Sequence, residues 1–68
     1  MLDTKKLLSL KNRIKKAQQS FSAMGDMLLS YEIEAMSLDE LHQLNEYLAK
    51  KGILYKHLTH EIARKGAI

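Results

Sequence analysis

The sequence predicts an all-α protein: an antiparallel helical hairpin that assembles into a helical bundle. The 68 residues contain no proline and only 3 glycines, the two residue types that break helices and punctuate loops. Valine is absent, while good helix formers such as Leu, Lys, Ala and Glu are abundant, which favours helix over sheet. Apolar residues then recur at alternating steps of three and four, the period of an amphipathic helix.

The first helix is predicted over about residues 4–35. Its stripe runs Leu7, Leu10, Ile14, Ala17, Phe21, Met24, Leu28, Tyr31 and Ala35, a coiled-coil-like seam. Asp3 or Thr4 supplies the N-cap, since either side chain can accept from an orphan N–H of the first turn. Gly25 weakens helix propensity by about 1 kcal/mol relative to alanine. A bend or close approach is expected there rather than an end; the rival reading is a break at Gly25, with Asp26 capping a fresh helix. A second apolar stripe, Leu29, Ile33 and Met36, lies on another face of the same stretch. A helix apolar on more than one face is buried on more than one. One partner helix cannot cover both, so either a third helix of the chain or a surface on another molecule is implied.

The second helix is predicted over about residues 38–65. Ser37-Leu38-Asp39-Glu40 has the spacing of a capping box, with Ser37 as N-cap and Glu40 at N3. Met36 and Leu41 stand at the two positions of a hydrophobic staple. Leu38, Leu41, Leu44, Leu48, Tyr55, Leu58 and Ile62 supply the apolar face. Lys50-Lys51-Gly52 reads as a helix C-terminus, with Ile53 placed to contact Leu48. No Ser, Thr, Asp or Asn follows at once to cap a new helix, so a kinked continuous helix and a break at Gly52 both remain open. Arg64-Lys65-Gly66 closes the element. Residues 1–68 form a single helical domain, and three or four short helices in a compact bundle are the alternative to the hairpin.

The formal charge of +3 conceals a pattern. Residues 1–20 carry a net +5, residues 21–47 a net −6 and residues 48–68 a net +4. In a hairpin, both basic segments meet at the open end and the acidic segment forms the turn. Two hairpins packed antiparallel would then be electrostatically complementary.

Several functions are excluded at this level. There is no cysteine for a thiol nucleophile or a cysteine metal site. There is neither a Gly-rich phosphate loop nor a Gly-x-Ser-x-Gly elbow. So short a helical chain offers little volume for a pocket, and it is not expected to be an enzyme or to hold a cofactor or small-molecule substrate. His57, His60 and Glu61 share one helical turn, but helical zinc motifs use other orders and further ligands. They are read as a polar helix face, as is His42, and no metal is expected. No apolar run has the roughly 18 residues of a membrane span. Leu7 and Leu8 are followed at once by polar residues, so no secretory h-region exists and a cytoplasmic location is expected.

What remains is a small interaction module, an adaptor, chaperone-like or regulatory protein acting through a Met-rich helix face. The residues expected to carry the contact are Phe21, Met24, Met27, Leu28, Tyr31 and Ile33. The partner is expected to be a second copy or another protein. The alternative is a nucleic-acid-binding regulator. Lys5, Lys6, Lys11, Arg13, Lys15 and Lys16 would then contact phosphates, with basic residues of the C-terminal segment.

Overall fold

The computed structural model describes residues 2–19 and 27–67. Among the described residues the chain is all-α, with four helices and no strand: α1 (Thr4–Gln19), α2 (Met27–Ala35), α3 (Leu38–Lys50) and α4 (Lys56–Gly66).

Asp3 caps α1. Its Oδ1 accepts from the Lys6 backbone N–H at 2.7 Å, and its carbonyl accepts the first helical bond, from Leu7 N. Leu7, Leu10 and Ile14 are buried along one face, as the three–four spacing predicts, and Ala17 packs at the margin. The Gln43 side-chain amide pins the chain in front of α1. It accepts from Leu2 N–H at 3.0 Å and donates to the Leu2 carbonyl at 2.7 Å.

The predicted helix over 4–35 is replaced by two elements. Arg13 and Glu32 stand about 28 Å apart on a straight helix, yet their side chains are ion-paired, and Lys6 Nζ also lies 3.6 Å from Glu32. A helix of that length would also reach about 48 Å, whereas the longest axis of the molecule is 33 Å. The chain therefore folds α2 back against α1. This replaces the two-helix hairpin by the four-helix arrangement. Gly25, where a bend is expected and a break is the rival reading, lies outside the described residues.

α3 begins as predicted. Ser37 Oγ accepts from Glu40 N–H at 3.2 Å, and Glu40 Oε1 accepts from Ser37 N–H at 3.1 Å, which closes the capping box. Met36 and Leu41, the staple pair, are both buried in the core. Leu41, Leu44 and Leu48 are buried on one face of α3.

The C-terminus of α3 is a Schellman motif, and it settles the question of Gly52 in favour of a break. Ile53 N–H donates to Leu48 O at 2.9 Å, and Gly52 N–H donates to Ala49 O at 3.0 Å. Gly52 takes the left-handed φ of +72° that this motif demands. A Cβ there would meet nothing within 4 Å. Gly52→Ala should therefore cost only the left-handed backbone penalty, about 1–2 kcal/mol. A thermal melt of the variant should show a drop of several degrees, and an unchanged midpoint would contradict the turn. α4 then starts at Lys56 behind Tyr55, whose side chain makes no capping bond, in keeping with the missing cap residue in the sequence.

The core is one cluster fed by all four helices. α1 packs on α2 and α3, and α4 packs on α2 and α3. Leu10, Ile14, Leu29, Ile33, Leu41, Leu44, Leu48 and Leu58 are fully enclosed in it. The acidic middle of the sequence thereby lies against its basic ends. Glu32 meets Arg13 and Lys6, and Lys65 Nζ donates to the carbonyl of Glu34 in α2 at 2.6 Å and to that of Met36 just beyond the helix. The last turn of α2 thus receives a cation where its dipole is negative. The charge segregation that a hairpin would display at its two ends is partly neutralised inside the fold.

Candidate functional site

α2 decides which of the two apolar stripes faces inward. Leu29 and Ile33 are fully buried, and Met36 follows them into the core. A residue advances about 100° around a helix, so Met27, Leu28, Tyr31 and Ala35 fall on the opposite side. All four are exposed, with Leu28 at 71%, Tyr31 at 58% and Met27 at 51%. α2 is thus a short helix with apolar side chains on both faces and only one face in the core.

Of the predicted contact residues, Met27, Leu28 and Tyr31 share this outward face. Phe21 and Met24 lie outside the described residues. Ile33 is a correction: it is fully buried and belongs to the core. The stripe from Leu7 to Ala35 has a single phase only on one unbroken helix. With α2 a separate element, its phase is set by packing on α1 and α4. Leu54 is a further exposed apolar side chain, at 68%, that periodicity did not select. It lies in the short link between Gly52 and α4, and its carbonyl accepts from Gln18 Nε2 at 2.6 Å.

The six basic residues of α1 do not form one surface. Arg13 and Lys6 are turned toward α2 and engage Glu32. Lys5, Lys15 and Lys16 are exposed and Lys11 is half-buried, spread around the outer side of the helix. They resemble the solvated face of an amphipathic helix more than a phosphate-tracking ridge.

The turn His57–His60–Glu61 is divided by the fold. His60 is exposed, whereas Glu61 is buried, with 4% exposure, and His57 is half-buried. α2 adds Glu34, a residue no local pattern connects to that turn. One donor atom each of Glu34, His57 and Glu61 lie within 4.8 Å of one another. Nε2 of His57 is buried without a hydrogen-bond partner. Glu61 accepts from Arg64: Nη2 to Oε2 at 2.6 Å, Nε to Oε2 at 3.0 Å and Nε to Oε1 at 3.2 Å.

These Arg64 hydrogen bonds hold the Glu61 carboxyl below the ordinary glutamate value of 4.5, against burial, which pushes it up; the Arg64 charge adds to the lowering. Glu40 is lowered as well, chiefly by the hydrogen bond from the Ser37 backbone. A carboxyl depressed in the folded state stabilises the fold above its unfolded pKa, and that stability is lost as the pH falls through the folded value. Melting temperature should therefore fall on acidification below about pH 4.5. In Arg64→Ala, Glu61 is left buried without its partner. That variant should melt lower than the parent at neutral pH and converge with it in acid. Parallel melts that never converge would contradict the pairing.

Among the described residues, fold and surface define an all-α arrangement with an outward apolar face on α2. No family model matches the chain, and no curated protein or solved structure is detectably similar to it. Among the described residues no helix is long and apolar enough to cross a membrane.

Proposed function

We propose that this chain is a small helical protein–protein interaction module that docks through the outward face of α2, either on a second copy or on an apolar helix of another protein. The observation that carries this reading is the exposure of Met27, Leu28 and Tyr31 behind a fully buried Leu29 and Ile33. Isolated exposed apolar residues are ordinary, but several adjoining ones on one helix face favour association. Methionine adapts its shape to a partner, and tyrosine supplies rigid contact area with a polar tip. The small size of the domain gives a further reason, because so short a chain gains from burial against a partner.

Sedimentation velocity over the micromolar range tests the self-association arm. The parent chain is expected to sediment above its 7.8 kDa monomer mass, and Leu28→Asp as a monomer. For a foreign partner, the parent chain but not Leu28→Asp should retain one defined protein on an affinity column. A parent chain that stays monomeric and retains nothing in a Leu28-dependent way would end the proposal.

A further inference from the structure

Among the described residues, one group of metal-ligating side chains comes together: Glu34 on α2 and His57 and Glu61 on α4. His57 and Glu61 are separated by one helical turn, so both project to the same side of α4. That side meets α2, where Glu34 completes the group. We propose that these three residues form a binding site for a divalent first-row transition metal ion, with zinc the representative ion, clamping α2 to α4.

Geometry supports the ligand set. Three donor atoms no more than 4.8 Å apart leave a central point within about 2.8 Å of each, so shifts of roughly 0.6–0.8 Å close the shell to zinc distances of 2.0–2.2 Å. The set is one imidazole and two carboxylates. Its two negative charges match a divalent ion, and the imidazole favours zinc and its neighbours over magnesium or calcium. Three protein ligands leave a fourth tetrahedral position for water. His57, which stands beside the two acids, also carries a ring nitrogen, Nε2, that is buried without a hydrogen-bond partner.

The neighbouring cations are already occupied. Arg64 makes its shorter contacts with Oε2 of Glu61 and only a 3.2 Å contact with Oε1, so Oε1 retains lone-pair capacity. An arginine hydrogen-bonded to a ligating carboxylate orients it, as outer-shell partners do. Lys65 Nζ is bound to the carbonyl oxygens of Glu34 and Met36. The clamp has a physical purpose. α2 has 9 residues, too few to be stable as an isolated helix. A metal joining Glu34 to α4 would fix it in place.

Titration calorimetry of the untagged chain with Zn²⁺ alone, at neutral pH and without chelating buffer, tests this. One zinc per chain is expected. His57→Gln and Glu34→Gln should each weaken binding by about tenfold or more. The double variant His42→Gln with His60→Gln, which removes the other two imidazoles, should bind like the parent. Zinc should also raise the melting temperature of the parent but not of His57→Gln. Glu34 is exposed, so Glu34→Gln remains decisive should His57→Gln fold poorly. Absence of stoichiometric binding, binding that survives both single substitutions, or binding that disappears with His42 and His60 would overturn the site.

Discussion

Leu44→Ala is expected to destabilise the fold by about 2–5 kcal/mol, the cost of removing a fully enclosed leucine and leaving a cavity. Leu44 is fully buried at the centre of the inward face of α3, the helix that packs on both α1 and α4. Domains of this size have total stabilities of only about 3–10 kcal/mol. The loss is therefore a large fraction of the whole, and the variant should be partly unfolded at room temperature. For a domain this small, each kcal/mol moves the melting midpoint by roughly 4–8 °C. Leu54→Ala is the control: Leu54 is 68% exposed, and its truncation should stay within about 0.5 kcal/mol of the parent. Circular dichroism melts of the two variants, side by side, measure the difference. Equal midpoints would mean that α3 does not carry the core.

The features legible in the sequence are those written in near neighbours. Ser37 and Glu40 are three residues apart, and both hydrogen bonds of the capping box form between them. Gly52 and its flanking lysines announce a helix end, and the Schellman bonds to Leu48 and Ala49 complete it within five residues. The inward faces of α1, α3 and α4 follow from spacing alone, because each of these helices has one apolar side. Non-local pairing left no such trace. Glu61 looked like part of a solvated face, and its burial depends on Arg64 one turn away and on α2 across the interface. The cluster with His57 needed Glu34, from a helix that periodicity had merged with α1. For the same reason charge reading placed complementarity between molecules, when Arg13 and Glu32 realise part of it within one chain.

The same ambiguity yields the sharpest remaining experiment, a contrast between two positions on α2. Both are aliphatic, five residues apart, and nothing in local sequence distinguishes them as inside and outside. Ile33 is fully buried, while Leu28 is 71% exposed. Ile33→Asp would place a carboxylate in an apolar core where the cluster around it consists of leucines, Ile14 and Met36. The lost burial of isoleucine alone is worth about 1.5–3 kcal/mol. An unpaired acidic group adds several more, whether it stays ionised or takes up a proton. The sum approaches the whole stability of a 68-residue domain, so Ile33→Asp should be unfolded or molten at neutral pH, with weak helical dichroism and no cooperative melt. Leu28→Asp should keep the parent's helical spectrum and melt within about 0.5 kcal/mol of the parent's monomeric form, while losing whatever association the outward face supports. If Leu28→Asp unfolded the chain and Ile33→Asp did not, the phase of α2 would be the one that continues the α1 stripe. The exposed face would then be Leu29 and Ile33, and the docking proposal would move to that side. Inside and outside on this helix differ by packing energy alone, so the stability of two point variants reads the orientation directly.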